Sequence, residues 1–254
     1  MIDLHCHILP GIDDGPENLA KSIDMAHAAV EQGITHILCT PHHKNGHYNN
    51  PASKVIAAVN SFQQELNQRG IGLSLFEGQE VRLSGELLED IHHGELLFTD
   101  LSNHYLLIEF PTLEVPAYAD QLLFQLIEHG HTPVIVHPER NDVFSKDPNR
   151  LLPYLEMGVL TQLTAPSIVG FFGRRVQKAA KTMLANQLGF MVASDAHSVE
   201  HRGFYLREAY QEIEKKFGKE RVREMEQMTK DILNGDPVQR PAFQKVKHSF
   251  FFSA

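Results

Sequence analysis

The sequence predicts a parallel α/β protein closed into a distorted, TIM-like barrel of seven strands. Strand patterns and helix patterns alternate about seven times along the chain. The strands are apolar throughout, as in Val134-Ile135-Val136, which is typical of strands covered on both faces. Six of roughly seven strands end in His, Asp or Glu. A barrel brings such residues together on its C-terminal rim, whereas an open sheet spreads them along an edge, so we expect a barrel.

The elements of the first half follow from local patterns. After an extended start, Leu19, Ile23, Ala26 and Val30 recur at helical spacing, and Gly33 suits the end of that helix. Pro111 ends a later strand. We expect strands at 1–7, 34–40, 73–76 and 105–110, and helices at 17–33, 51–69, 84–91 and 116–129.

The second half repeats the alternation and ends in two helices. We expect strands at 133–136, 159–163 and 190–193, and helices at 148–157, 167–187 (interrupted near Gly170 and Gly173), 203–217 and 219–234. This gives one domain over residues 1–235 and a C-terminal tail over 236–254, where Pro237 and Pro241 break helix. The tail, with Lys245, Lys247 and Phe250-Phe251-Phe252, is a strap over the barrel, a frayed end or a docking peptide.

Composition narrows the functional classes. The length of 254 residues fits one large domain, and the net charge of −9 argues against binding to nucleic acid. Two cysteines indicate a reducing compartment, and the chain opens on a strand, which leaves no room for a signal peptide. No apolar run approaches the roughly 20 residues that span a bilayer. We therefore expect a cytoplasmic protein without membrane insertion.

The most informative motif is Asp3-Leu4-His5-Cys6-His7, followed by Asp13-Asp14-Gly15. Side chains two apart on a strand leave from the same face, so His5 and His7 are expected to point together. Imidazole and carboxylate groups are common metal ligands, and the loop with Asp14 begins where the strand ends. The motif alone is weak evidence, and it gains weight only if other strand ends supply matching ligands.

Other strand ends do supply them. Glu109 is informative because a carboxylate within Leu106-Leu107-Ile108-Glu109-Phe110 needs a partner if it is buried. A set of this size suits two or three divalent ions, and imidazole with carboxylate but no thiolate favours manganese, iron or zinc. The candidate metal ligands are His5, His7, Asp14, His42, Glu80, Glu109, His137, Asp195 and His197.

An anionic substrate fits this set. Three divalent ions and four carboxylates would leave a net charge of about +2, which attracts a phosphate monoester. Arg140 and Arg202 lie near ligands His137 and His197, and guanidinium groups bind phosphate oxygens as a planar fork, so we assign both arginines to catalysis and substrate binding.

Cysteine-based phosphate chemistry is excluded by spacing. A cysteine phosphatase needs an arginine six residues after its thiolate, and here Ile12 follows Cys6 and Asn45 follows Cys39 at that distance.

In Gly170-Phe171-Phe172-Gly173, Phe171 and Phe172 are candidates for a mobile wall that stacks on a tyrosine ring. A hydrophobic plug under the helix is the equally open alternative.

These motifs resemble the PHP (polymerase and histidinol phosphatase) family, and most closely its bacterial protein-tyrosine phosphatases of the CpsB/YwqE type. The resemblance covers residues 1 to about 235. The matching stretches are Met1-Ile2-Asp3-Leu4-His5-Cys6-His7, Ile12-Asp13-Asp14-Gly15, Leu107-Ile108-Glu109-Phe110, His137-Pro138-Glu139-Arg140 and Val192-Ala193-Ser194-Asp195-Ala196-His197.

The resemblance implies a distorted (β/α)7 barrel, the PHP fold, that holds three ions, usually Mn²⁺. It implies phosphotyrosine hydrolysis by a metal-activated hydroxide, on a bacterial tyrosine kinase that controls capsule or exopolysaccharide synthesis. Arg140 and Arg202 fall where the family's phosphate-binding arginines lie. The implied ligand groups are His5, His7, Glu80 and Asp195 for one ion, Glu80, Glu109 and His137 for a second, and Asp14, His42 and His197 for a third.

Three alternatives stay open. A small-molecule phosphatase of the histidinol-phosphate kind would use the same barrel. An amidohydrolase-type enzyme also has His-x-His, but it typically uses a carboxylated lysine, and no lysine stands at a strand end. A metal-loaded kinase regulator without turnover would have no need for Arg140 and Arg202. The sequence does not indicate an oligomeric state.

Overall fold

The computed structural model describes residues 1–247, and it shows a parallel α/β fold as predicted. The predicted run Phe250-Phe251-Phe252 lies outside the described residues. Every strand pairing in this part of the chain is parallel. The strands are β1 (Ile2–Cys6), β2 (His36–Cys39), β3 (His42–His43), β4 (Ser74–Glu77), β5 (Glu80–Arg82), β6 (Tyr105–Glu109), β7 (Thr132–Val136), β8 (Leu160–Thr164) and β9 (Met191–Ala193).

The strands form two sheets, with orders β1-β2-β4 and β3-β5-β6-β7-β8-β9. Strand β3 follows β2 after two residues, and β5 follows β4 in the same way. At the other junction, the backbone of β1 bonds to the segment after β9: Asp195 N donates to His5 O at 2.8 Å and His7 N donates to Ala196 O at 2.9 Å. The carboxyl ends of all these strands therefore face one region of the molecule.

Two predicted strands are each followed, after two residues, by a second short strand that begins with a candidate ligand. Pro41 separates β2 from β3 because it has no N–H to continue the ladder, although its carbonyl still accepts from Glu80 N at 3.1 Å. Gly78 separates β4 from β5, and a Cβ atom at this position would lie only 2.8 Å from Leu38 Cγ. The predictions of one strand over 34–40 and one over 73–76 were therefore incomplete: each is followed by a second short strand.

The helices lie between the strands, close to their predicted positions. Gly33 ends α1 with φ 84°, as expected, and Gly170 and Gly173 divide the predicted helix 167–187 into α7 and α8. The helices are α1 (Leu19–Gln32), α2 (Ala52–Gln68), α3 (Leu87–His92), α4 (Ala119–Glu128), α5 (Asp142–Lys146), α6 (Leu152–Met157), α7 (Ala165–Val169), α8 (Arg174–Ala185), α9 (Leu206–Phe217) and α10 (Lys219–Asn234).

One helix was not predicted. Helix α5 is too short for a periodic pattern, and it is begun instead by Asn141, whose side chain accepts from the backbone N–H groups of Val143 and Phe144. It follows a 3₁₀ turn, Pro138–Arg140, directly after β7. This turn and α5 place Arg140 beside the strand ends.

The central strands are buried, as their apolar sequences predicted: all five residues of β6 and all five of β8 are buried. The described part of the tail, 236–247, packs along the body in the manner of a strap. Val238, Phe243 and Val246 contact the hydrophobic core, and Gln244 N donates to Asn186 O at 2.9 Å. Within residues 1–247, no helix is long and apolar enough to cross a membrane.

Candidate metal centre

The nine candidate ligands lie together at the carboxyl ends of the strands. His5 is in β1 with His7 just beyond it, His42 and Glu80 begin β3 and β5, and Glu109 ends β6. The other four follow β1, β7 or β9 in loops. Eight of the nine are buried; only Asp14, with 44% of its side chain exposed, borders solvent. The nine are His5, His7, Asp14, His42, Glu80, Glu109, His137, Asp195 and His197.

His5 and His7 point the same way, as their spacing predicted, with their Nε2 atoms 3.3 Å apart. The ligand atoms fall into three groups, and within each group they lie within 4.8 Å of one another. The groups are His5, His7, Glu80 and Asp195; His7, Asp14, His42 and His197; and His42, Glu80 and Glu109.

These groups differ in two memberships from those that the resemblance implies. His7 joins the group of Asp14, His42 and His197, and His42 stands with Glu80 and Glu109 in place of His137. His137 is nevertheless adjacent, because its Nε2 lies 2.6 Å from Glu80 Oε1.

The donor atoms in these groups are suited to metal ions. Five buried atoms have no aligned hydrogen-bond partner, although opposite charges lie close: His42 Nδ1, for example, is 2.9 Å from Glu80 Oε2. Buried polar atoms are rarely left without partners, so a convergent set of them fits the coordination of a cation. The five are His42 Nδ1, Glu80 Oε2, Glu109 Oε2, Asp195 Oδ1 and His197 Nε2.

The buried charges of the centre shift the pKa values of its candidate ligands in both directions: against the effect of burial, those of His5 and His7 are raised by nearby carboxylates, whereas two other rings have lowered values. Burial, together with the charge of Arg140, lowers the pKa of His137 to about 4, and burial with the charge of His7 lowers the pKa of His197 to about 4. Both rings are therefore neutral at pH 7 and can donate a lone pair. Burial, with the nearby charge of Glu80, raises the pKa of Glu109 to about 7.

Two of these residues have strained backbones. His137 and Asp195 have φ angles of 37° and 52°, in the left-handed region that most side chains avoid. Such conformations cost on the order of 1–3 kcal/mol and are found chiefly at functional sites. Here they turn each side chain towards the centre directly after its strand.

Both predicted arginines reach the centre. Arg140 Nη1 and Arg202 Nη2 each donate to Oδ2 of Asp195, Arg202 at 2.6 Å. Although burial alone would raise the pKa of Asp195, the two guanidinium groups hold it well below the usual value. Phe172 packs against Arg140, with its ring centre 5.0 Å from the guanidinium carbon. Phe171 is 45% exposed and its ring centre lies 5.6 Å from that of Tyr205.

Comparison with known proteins assigns the family. The model of the family "Capsular polysaccharide synthesis, CpsB/CapC" matches residues 1–233. The chain belongs to the CpsB/CapC family. It is 40% identical to tyrosine-protein phosphatase YwqE of Bacillus subtilis over 99% of both chains. It is 37% identical to the putative tyrosine-protein phosphatase CapC of Staphylococcus aureus, over 83% of this chain and 82% of the relative.

Solved structures agree with this assignment. One crystal structure superposes on this chain with a TM-score of 0.93. It belongs to a study of YwqE from B. subtilis and CpsB from Streptococcus pneumoniae, which are described as unique metal-dependent tyrosine phosphatases. The sequence identity is 40%, and the match covers 98% of this chain and 100% of that one. An organophosphorus hydrolase of Deinococcus radiodurans, 14% identical, shares only the fold: its TM-score is 0.53 over 91% of this chain and 92% of that one.

Three polar residues around the centre of this CpsB/CapC member were given no role in the sequence analysis. Gln162 Oε1 lies 2.8 Å from His5 Nδ1, Asp13 Oδ2 lies 2.7 Å from His7 Nδ1, and Arg82 Nη2 lies 2.9 Å from Glu109 Oε2. Gln162 carried a usable signal, because an amide within the apolar strand β8 needs a partner just as Glu109 does. Arg82 ends β5 two residues after Glu80, and nothing in the sequence pairs it with β6.

The two cysteines are unsuited to nucleophilic chemistry. Both are fully buried, and burial raises the pKa of each thiol above its usual value. Neither thiol is therefore a thiolate at neutral pH, which agrees with the absence of the required arginine spacing.

Proposed function

We propose that this CpsB/CapC family member is a metal-dependent protein-tyrosine phosphatase, which hydrolyses phosphotyrosine monoesters. One observation carries the proposal: a buried set of imidazoles and carboxylates, five of whose ligand atoms make no aligned hydrogen bond, lies beside two arginines that share Asp195. Metal ions suit the first part of this arrangement and a phosphate group suits the second. The close relatives named as tyrosine-protein phosphatases support the assignment.

The metal content that we propose is three divalent ions, with manganese as the first choice and iron or zinc as the others. The donor set mixes imidazole with carboxylate and has no thiolate, which disfavours soft ions. The residues that we propose to hold them are His5, His7, Asp14, His42, Glu80, Glu109, His137, Asp195 and His197.

When bound, such ions polarise phosphoryl oxygens and lower the pKa of water. Arg140 and Arg202 bind the non-bridging phosphate oxygens and place positive charge where negative charge develops during transfer. Phe172 holds the Arg140 guanidinium in position by packing beneath it. Phe171, whose ring is exposed nearby, is our candidate for contact with the tyrosine ring.

We extend the proposal to the fold and the partner. Bonding between the sheets at both junctions supports a single distorted (β/α)7 barrel, with β2 and β3 as one strand position and β4 and β5 as another. Residues 1–235 would be the catalytic domain and 236–254 a tail.

As the partner, we propose a bacterial tyrosine kinase of capsule or exopolysaccharide synthesis, which the enzyme dephosphorylates in the cytoplasm. The capsule-related name of the family supports this partner.

The test is hydrolysis of phosphotyrosine and phosphoserine peptides by protein whose metal content has been measured. We expect manganese-dependent hydrolysis with preference for phosphotyrosine, and a large loss of kcat/KM in Arg140→Met and Arg202→Met. Competition with histidinol phosphate discriminates the small-molecule alternative. Undiminished turnover after proven removal of the metal, or no turnover of any aryl phosphate with manganese, would refute the proposal.

A further inference from the structure

Positive charge is concentrated in one groove on the outside of this acidic protein. Eight of the chain's 23 Lys and Arg residues line it, and no Asp or Glu is found among its described lining residues, although the chain's net charge is −9. The groove has a volume of about 1100 Å³ and lies between α8 and the tail. We call it the basic groove and define it by Arg174, Arg175, Lys178, Lys181, Lys245 and Lys247.

Most of this charge is not neutralised by neighbours. Arg175 pairs with Asp142 at 3.0 Å, Lys146 lies 3.4 Å from the same carboxylate, and Lys181 lies 3.9 Å from Glu212. Within residues 1–247, the other four defining side chains make no ion pair: these are Arg174, Lys178, Lys245 and Lys247. The groove therefore has an excess of positive charge available to a ligand.

The tail is held so that its lysines line the groove. Asn149 bonds the backbone of Val246 twice: its Oδ1 accepts from Val246 N at 2.8 Å, and its Nδ2 donates to Val246 O at 3.1 Å. Phe243 and Val246 contact the core, whereas Lys245 and Lys247 are exposed. A fixed backbone on one side and α8 on the other give the groove two defined walls.

One wall of the basic groove begins close in sequence to a residue that packs against Arg140. Helix α8 begins at Arg174, two residues after Phe172, and Phe172 packs against Arg140. From there α8 extends for 12 residues, or about 18 Å. A polypeptide with its phosphotyrosine at Arg140 and Arg202 therefore has a positively charged path beside it.

We propose that the basic groove binds an acidic segment of the phosphotyrosine protein, next to the phosphorylated tyrosine. This inference rests on the proposed function and adds a substrate class to it. The occupant is a short acidic segment because a protein of net charge −9 repels an extended anionic surface, whereas a segment within the groove meets mainly cations.

The test compares Arg174→Gln/Lys178→Gln with a matched control, Lys54→Gln/Lys230→Gln, which removes the same charge from exposed positions outside the groove. Substrates are p-nitrophenyl phosphate, a phosphotyrosine peptide with glutamates on one side, and the same peptide with glutamines. We expect the groove variant to raise KM for the acidic peptide about 3- to 10-fold, because each exposed ion pair gives a few-fold effect. Rates on the other two substrates should match those of the control.

Equal loss on all three substrates, or no loss on the acidic peptide, would overturn the proposal. Fluorescence anisotropy with a labelled glutamate-rich peptide that carries Phe in place of phosphotyrosine tests the groove without catalysis. Binding that the groove variant loses supports the proposal even if the phosphatase assignment fails. Binding of phosphatidylglycerol vesicles but not of this peptide would overturn it in favour of a membrane surface.

Discussion

Gln162 Oε1, from β8, lies 2.8 Å from Nδ1 of His5, in β1. This contact fixes the His5 ring so that its Nε2 faces Glu80 Oε2 at 3.3 Å and Asp195 Oδ1 at 3.5 Å. If Nδ1 donates its proton to the amide oxygen, Nε2 carries the lone pair that a metal ion needs. A neutral side chain from β8 thus sets which nitrogen of His5 faces the other candidate ligands.

Replacement of Gln162 should therefore weaken metal binding. In Gln162→Leu the acceptor for Nδ1 is lost, and we expect manganese affinity to fall about 10- to 100-fold, the usual effect of removing such a partner. Isothermal titration of the metal-free protein with Mn²⁺ measures this. Gln162→Glu keeps an acceptor and should retain most of the affinity. Unchanged affinity in a folded Gln162→Leu protein would contradict this role.

Metal affinity should depend on pH through Glu109. Its pKa in the metal-free protein is raised to about 7, so below pH 7 a proton occupies the carboxylate that an ion requires. Apparent affinity should consequently fall as pH decreases from 8 to 6. Arg82 counteracts this rise in pKa, so Arg82→Met should move the midpoint to higher pH. Arg69→Met, on an exposed pair with Glu65, is the control and should leave the midpoint in place.

Removal of metal should destabilise the fold. Ions that bind only the folded state, at 100 times their Kd, stabilise it by about 2.7 kcal/mol per site. For a chain of this size that corresponds to a decrease in Tm of about 5–10 °C when a chelator removes one ion. Differential scanning fluorimetry with chelator, followed by excess Mn²⁺, measures the loss and its recovery. An identical Tm in all three conditions would show that no metal is bound.

Thiol modification should have no effect on activity. Cys6 and Cys39 are fully buried with raised pKa values, so iodoacetamide should not inactivate the folded enzyme. Cys6→Ala/Cys39→Ala should keep kcat for an aryl phosphate within about twofold, although loss of buried volume lowers stability. Stoichiometric inactivation by alkylation of a folded protein would point to a cysteine mechanism instead.

Much of the fold could be predicted because its signals are local. Apolar runs such as Val134-Ile135-Val136 are strands, and Gly33, Gly170 and Gly173 mark helix ends at positive φ. The candidate ligands could be collected because parallel strands bring their carboxyl ends together. The division of these ligands into groups could not be predicted in the same way, because it depends on distances of a few ångströms between loops. In the structure His42, rather than His137, stands with Glu80 and Glu109.

The remaining misses have physical causes. The pair of Arg82 with Glu109 depends on the register between β5 and β6, which places the two residues opposite each other. The strand β3 was not predicted because its two residues, His42–His43, are too few to show a periodic pattern. The residues that line the basic groove come from α5, α8, α9 and the tail, so no single stretch of the sequence shows the concentration of positive charge. Non-local pairing of this kind leaves no local pattern.

The left-handed backbone of Asp195 opens a practical route to capturing the physiological target. Asparagine tolerates this conformation better than other side chains of its size, so Asp195→Asn should keep the local shape while removing one negative charge. Arg140 and Arg202 would then lose their shared internal counter-ion and be left to hold a phosphorylated tyrosine that the enzyme turns over poorly. Such a substrate-trapping variant would retain its bound phosphoprotein through purification and allow it to be identified.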